Sequence, residues 1–315
     1  MGSASLDRPA TSPPVAVARR RLRWRDVRGA LFVLPWVIGF VVFQLIPFLA
    51  SFLLSFTDWN FSRQANFVGL ENYGRLLFED KLLHRSVLNT VYYTVAHVPG
   101  SLFLAFCLAL LLNQKVRAVA LFRTMFYLPS ITTSVATVIV WIFLFQPGGL
   151  INSGLRVFGI EGPNWLVSTT WAMPSLILMS LWTVGTPMIL YLAGLQGIPE
   201  SLYEAAMIDG AGWWHKLRHV TLPMMTPHFF MTAVLGIIGS FQVFVSALVM
   251  TNGGPGDATT FILMLVYWQG FQYFRMGYAS AIAWVLLVII LAFTAAQLRL
   301  ARYWVYYEYD AEKGG

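Results

Sequence analysis

The sequence predicts an all-α integral membrane fold: six transmembrane helices, with a cytoplasmic loop between the fourth and fifth that carries a short helix of its own. Three observations predict it. Apolar residues make up 57% of the 315-residue chain and charged residues 11%, against roughly 45–50% and about 25% in soluble domains. The apolar residues fall into six runs, each long enough to cross a hydrocarbon core of about 30 Å at 1.5 Å per residue. The charges gather at the ends of those runs, so the net charge of +7 reads as membrane orientation and not as a nucleic-acid surface.

Residues 1–28 come first, with Arg8, Arg19, Arg20, Arg21, Arg23, Arg25 and Arg28. They are Ala-, Pro- and Ser-rich at the start, with little apolar periodicity, and are expected to be disordered and cytoplasmic. The run that follows, 30–56, is too long for the core of a cleaved signal peptide and reads as an uncleaved first span. Further spans are expected at 87–112, 121–146, 170–195, 228–250 and 278–298, giving a six-helix transmembrane body over 29–300, a loop at 196–227 and a tail at 301–315. The single cysteine, Cys107, excludes an internal disulfide.

Orientation follows from the basic residues. With the N-terminus cytoplasmic, fifteen Lys and Arg lie on the inner side and six on the outer, which places both termini and the 196–227 loop inside. No Asp, Glu, Lys or Arg falls well within a span, which argues against a proton-coupled carrier or a voltage sensor. His97 is the one titratable side chain deep in a span; it reads as a histidine bonded to a neighbouring helix. Pro35, Pro47, Pro99, Pro129, Pro174 and Pro187 interrupt spans and are tolerated where neighbours satisfy the freed carbonyls. The small pairs Gly236/Ser240 and Ala279/Ala283 permit close helix contact.

The loop has its own logic. Pro199 suits a first helical turn, and Glu200 and Glu204 favour the positive end of a helix dipole. The helix is expected to run to about Asp209, where Gly210 permits a left-handed turn and closes it. A second amphipathic piece is expected over Trp213–Val220, with Pro223 and Pro227 leading into the fifth span. Leu202, Ala205 and Ala206 give the short helix a shallow apolar face of the kind that lies in a groove on a partner. From spacing alone, a surface loop that merely connects two spans is the favoured reading.

The stretch Glu204-Ala205-Ala206, Gly210, then Val220-x-Leu222-Pro223, resembles the EAA motif of ABC importer permeases, with Val where Ile is usual. Leu34-Pro35, Ser55-Phe56-Thr57-Asp58-Trp59, Phe67-Val68-Gly69-Leu70-Glu71-Asn72-Tyr73, Phe126-Tyr127-Leu128-Pro129, Ala193 through Pro199 and Thr251-Asn252-Gly253-Gly254-Pro255 agree in order. Over about 30–305 the chain resembles the maltose-type carbohydrate permeases, on the larger-subunit side of the heterodimer. It lacks that subunit's long periplasmic insertion and extra N-terminal spans. The resemblance implies a type I importer permease working with a second homologous permease, a cytoplasmic ABC ATPase dimer, a periplasmic or lipid-anchored solute-binding protein and a sugar. Its location would be the bacterial inner membrane, ATP and Mg would sit on the ATPase, and this chain would bind no cofactor. Glu204, Ala205, Ala206, Asp209 and Gly210 would then form the coupling helix that docks on the ATPase. Anchored on the Thr251–Pro255 loop, the family's sugar-contacting positions fall on Gly236, Gly239, Ser240 and Val243, small or apolar here.

The residues themselves offer little chemistry. There is no Gly-Lys dipeptide for a P-loop, no His-Glu-x-x-His and no Gly-x-Ser-x-Gly, so the chain reads as a transport subunit and not an enzyme. Sugar sites combine hydrogen-bonding groups and aromatic faces. Trp182, Thr183, Thr186, Ser240, Gln242 and Phe244 are candidates, with helix packing as the alternative at each. No cation sits in the spans, which favours a neutral sugar. Two readings stand: a subunit of an ATP-driven sugar importer, or a stand-alone channel or facilitator that needs no ATP.

Overall fold

The computed structural model describes residues 24–61, 64–114 and 118–306, with side chains from residue 32 onward. The N-terminal arginines up to Arg23, as well as Arg63, Lys115, Arg117 and the tail beyond residue 306, lie outside the described residues. Among the described residues every regular element is helical. The chain divides into two compact units, Met1–Ala50 and Ser51–Gly315.

The first span begins with α1 (Trp24–Phe40), passes through a π-helical stretch, Val41–Leu45, and continues as α2 (Ile46–Leu54). Pro47 explains the π stretch. A proline ring strikes the carbonyl four residues back, here that of Phe43, and widening the helix there relieves the clash. The same device recurs at Pro223, whose i−4 carbonyl belongs to His219 inside the π stretch Leu217–Thr221.

In the second unit α3 (Glu71–Phe78) precedes the 32-residue α4 (Lys81–Leu112), which starts on Asp80, whose carboxylate accepts from Leu83 N at 2.9 Å. Then come α5 (Val119–Ile131) and α6 (Ser134–Leu144), α7 (Leu150–Val157), α8 (Ala172–Leu181) and α9 (Gly185–Gly197). The polar loop holds α10 (Glu200–Ile208); α11 (Trp213–Lys216) and the π stretch run without interruption into α12 (Leu222–Phe241). The chain ends with α13 (Val245–Met250), α14 (Ile262–Tyr267) and α15 (Met276–Ala301).

Four helical stretches, Phe32–Leu54, Lys81–Leu112, Trp213–Phe241 and Met276–Ala301, are each long and apolar enough to cross a membrane. Two further apolar stretches are bent helix pairs, α5 with α6 at 101° and α8 with α9 at 44°; counted as one broken span each, they bring the total to six. The six expected spans are therefore present, with three corrections. The runs 121–146 and 170–195 are not single helices, because Pro129 with the Ser-Ile-Thr-Thr run in one, and Trp182-Thr183-Val184 in the other, end the ladder in mid-span. The helix that carries the fifth span does not run 228–250: it begins at Trp213, within the loop, absorbs Pro223 and Pro227, and stops at Phe241. The piece over Trp213–Val220 is thus the first part of that helix and not a separate element.

Small residues set the spacing where α4 packs against α9 and α12. Gly236 faces Val98, and a Cβ there would meet Val98 methyls at 3.5 Å. Gly185 brings α9 onto α5 so closely that a Cβ would fall 2.5 Å from the Phe126 carbonyl oxygen. Core clusters fill the remaining space: Phe145, Leu176 and Phe261 in one, Met188, Tyr191 and Met225 in another, Phe241, Ile262 and Ile282 in a third. Inside the second, the Tyr191 and Thr232 hydroxyls bond to each other, which meets the need of polar groups in an apolar interior.

Two of the sequence fragments meet in space. Asn72 Nδ2 donates to the carbonyls of Ser55 and Thr57, both at 2.9 Å, and the hydroxyls of Ser55 and Tyr73 lie 2.7 Å apart. The Ser55–Trp59 and Phe67–Tyr73 fragments are thus one clasp closing the loop between the first and second spans.

Candidate functional site

The short loop helix α10 is marked by a proline at its start, which makes no side-chain cap bond, and by a glycine turn at its end. Pro199, with φ −57° and ψ 131°, is the cap residue, and Glu200 stands in the first turn. At the other end Gly210 adopts φ +78°. Its N–H donates to Met207 O at 3.0 Å, while Ala211 N donates to Ala206 O at 2.8 Å. This pair of crossed bonds is the Schellman closure, which satisfies carbonyls that would otherwise have no partner. The Ala206 carbonyl is therefore held only because the next residues can turn left-handed at Gly210.

Tyr203 anchors the helix to the rest of the chain through Thr221, hydroxyl to hydroxyl at 3.0 Å. The other side is bare. Glu204, Ala205, Asp209 and Gly210 are exposed and Ala206 is half-buried. Around them stand Leu202, Met207 and, 87% exposed, Ile208, with Trp213 and Trp214 just beyond the turn. The sequence reading had Leu202 but missed Met207, Ile208 and the tryptophan pair. The available signal was large apolar side chains recurring inside an otherwise polar segment.

A second region forms where helices break. The interruptions at Thr132–Thr133, Trp182–Val184 and Gln242–Phe244 converge on a cavity of about 560 Å³, lined in part by Ser130, Thr132, Thr183, Gln242, Val243 and Phe244. Broken helices leave backbone groups without ladder partners, which membrane proteins tolerate where they border a cavity. Ser130 Oγ answers one such group, donating to Thr183 O at 3.3 Å. A neighbouring cavity of about 550 Å³ is lined in part by His97, Ser101, Ser180, Thr186 and Gly236, and Thr183 and Ser180 border both. Among the described residues no Lys, Arg, Asp or Glu lines either cavity.

The candidates from the sequence divide accordingly. Thr183, Gln242, Val243 and Phe244 line the first cavity; Thr183, Thr186 and Gly236 line the second. Trp182, Gly239 and Ser240 line neither. Trp182 is 56% exposed and meets Trp141 edge to face at 6.0 Å. Gly239 has open space around it. Ser240 is 3% exposed and its hydroxyl donates to Gly236 O at 2.7 Å, so it is an interior residue of α12. Ser130, Thr132 and Ser180 were missed; a hydroxyl run directly after Pro129 in an apolar stretch was the clue to the first two. His97 is bonded to a neighbouring helix as expected, its Nδ1 2.7 Å from Ser180 Oγ on α8.

The Thr251–Pro255 fragment is a tightly tied turn. Asn252 and Gly253 both have positive φ, Thr259 Oγ1 donates to Gly254 O at 2.7 Å, and Asn89 Nδ2 reaches Asp257 O at 2.8 Å and Thr260 O at 3.0 Å. It fixes the chain between the last two spans against α4.

Apolar spans, cavities at helix breaks that no charged residue lines among the described residues, and an exposed loop helix define a multi-span membrane transport body. The comparisons name the family. Residues 98–304 match the model described as "Binding-protein-dependent transport system inner membrane component". The chain is 38% identical over 297 residues to a probable ABC transporter permease protein, YesP, of Bacillus subtilis, covering 93% of this chain and 96% of the relative. It is 33% identical over 302 residues to the arabinooligosaccharides transport system permease protein AraP of the same organism, covering 92% and 96%. Among solved structures, a bacterial ABC transporter involved in import of the acidic polysaccharide alginate superposes with a TM-score of 0.78 at 24% identity, over 88% of this chain and 96% of that one, a likeness of fold. The chain belongs to the inner-membrane components of binding-protein-dependent transport systems. It is a transport subunit, not an enzyme, and the stand-alone facilitator reading is set aside.

Proposed function

We propose that the chain forms half of the translocation pathway of an ATP-driven carbohydrate importer and takes its driving force through α10. The observation that carries this reading is α10 itself, closed at its C-terminal end by the Gly210 turn, tethered by Tyr203 and exposed at Ala205 and Ile208. A shallow apolar surface of this kind, rimmed by Glu204 and Asp209, suits a groove on a cytoplasmic ATPase. A second, homologous permease supplies the other half of the path, a binding protein outside the cell delivers the sugar, and ATP with Mg is bound by the ATPase. Both termini and the 196–227 loop face the cytoplasm, in line with the basic-residue bias. Alternating access follows when ATP binding moves the docked helix and biases two states of the membrane domain. The carbohydrate assignment is supported by the uncharged, hydroxyl-bearing cavities and by the sugar named for AraP.

The test is a thiol cross-link from Ala205→Cys in the Cys107→Ala background, followed by mass spectrometry. Capture of the ATPase supports the reading. Absence of any ATPase adduct, in complexes that still import sugar with ATP, removes α10 from the drive train.

A further inference from the structure

His97 lies in α4 and faces α8, and its hydrogen bonds fix which ring nitrogen carries the proton. Ser180 Oγ lies 2.6 Å from Ile177 O and 2.7 Å from His97 Nδ1. Ser180 Oγ is the donor to Ile177 O, which can only accept, and the Tyr93 hydroxyl also bonds to Ser180. The contact with His97 is then a bond only if Nδ1 carries hydrogen and donates to Ser180. In the neutral ring the other nitrogen, Nε2, is left as an acceptor. Tyr93 stacks on the imidazole at 5.2 Å and holds its plane. Among the described residues Nε2 has no hydrogen-bond partner, and His97 lines the second cavity.

The hydroxyls around it show the same polarity. Ser101 gives its proton to Val98 O at 3.0 Å, Thr183 to Ser180 O at 2.9 Å and Thr232 to His228 O at 2.8 Å. Each has lone pairs to offer the cavity and no proton. Thr186 alone keeps a hydroxyl with no partner among the described residues. Such a wall takes hydrogen bonds and hardly gives them.

Resting on the carbohydrate reading above, we propose that His97 Nε2 is a fixed acceptor for a substrate hydroxyl. The acceptor-rich wall around it selects an uncharged polyhydroxyl substrate over one bearing a carboxylate or sulfonate. A neutral sugar brings hydroxyl donors that the wall satisfies. An anionic group brings only acceptors, loses its water and finds a single hydroxyl donor, Thr186, and no cation among the described lining residues.

The two amide variants separate a binding role from a structural one. In His97→Asn the amide N–H stands in for Nδ1 and keeps the Ser180 bond, but the Nε2 acceptor is gone. In His97→Gln an amide oxygen reaches the Nε2 position while the Ser180 bond is lost. Ala193 lines the same cavity and is exposed. The assay is protection of an Ala193→Cys, Cys107→Ala complex from maleimide labelling, by maltotriose, lactose or arabinotriose and by tri-galacturonate. It reads the cavity without the selectivity of the binding protein. Neutral sugars should protect, with His97→Gln close to wild type and His97→Asn needing roughly 2–12-fold more sugar, the worth of one neutral hydrogen bond. Tri-galacturonate should require at least about fivefold more than the neutral sugars. Equal protection by the acidic sugar, or a greater loss in His97→Gln than in His97→Asn, overturns the proposal while leaving a sugar importer intact. If no carbohydrate protects and none drives uptake, the carbohydrate reading itself falls.

Discussion

Substitution of Gly210 probes the link between a backbone angle and energy coupling. The residue sits at φ +78°, and a Cβ built on it would have nothing within 4 Å. Within this chain the cost of a side chain is therefore conformational and not steric crowding. An L-residue in the left-handed region loses roughly 1–2 kcal/mol, Asn less than most because it tolerates that region, and a β-branched residue more. The alternative, leaving the left-handed region, sacrifices the Met207 and Ala206 carbonyl bonds at 3.0 and 2.8 Å, each worth about 1 kcal/mol. Either way the closed turn loses about 1–2 kcal/mol, a factor of roughly 5–30 in its population. In proteoliposomes holding the whole transporter, ATP-driven uptake should fall in the order Gly, Asn, Ala, Val, with membrane insertion unchanged. Asn is larger than Ala, so contact with the docked partner would reverse those two. An Ala variant more active than Asn, or a Val variant at the wild-type rate, refutes the reasoning.

Gly185→Ala should destabilise the assembled membrane domain by about 1–3 kcal/mol, because its Cβ would lie 2.5 Å from the Phe126 carbonyl oxygen and 2.8 Å from Tyr127 Cα; thermal unfolding in detergent reads the loss, and an unchanged midpoint counts against the close α5–α9 approach. Ser240→Trp should reduce folded protein and not merely block the path, since Ser240 is 3% exposed inside the fold; a well-folded but transport-dead variant would put Ser240 back on the pathway. Asn72→Ala should cost about 1–3 kcal/mol by leaving the Ser55 and Thr57 carbonyls without their donor, read as faster proteolysis of the loop that follows the first span; wild-type resistance argues against the clasp.

Membrane class, span number and the short loop helix were legible in the chain itself, because each depends on local composition. A bilayer demands some twenty apolar residues in a row. A helix end demands a residue such as Gly210 wherever the backbone must turn left-handed. The fifth span shows where that reasoning stops. Pro223 and Pro227 look like terminators in one dimension, yet the helix passes through both: a π turn widens it at the His219 carbonyl for Pro223, and the Thr226 hydroxyl donates to the Pro223 carbonyl, four residues before Pro227, at 2.6 Å. The breaks at Thr132–Thr133 and Gln242–Phe244 left weak local traces, and their convergence with Trp182–Val184 on one cavity left none. Ser240 and Thr183 are the same kind of residue in the sequence: small, hydroxyl-bearing and embedded in an apolar run. One is sealed inside the fold and the other borders two cavities. Only packing separates them, since the direction a side chain faces is set by neighbours distant along the chain. The proton on His97 likewise depends on a serine 83 residues away.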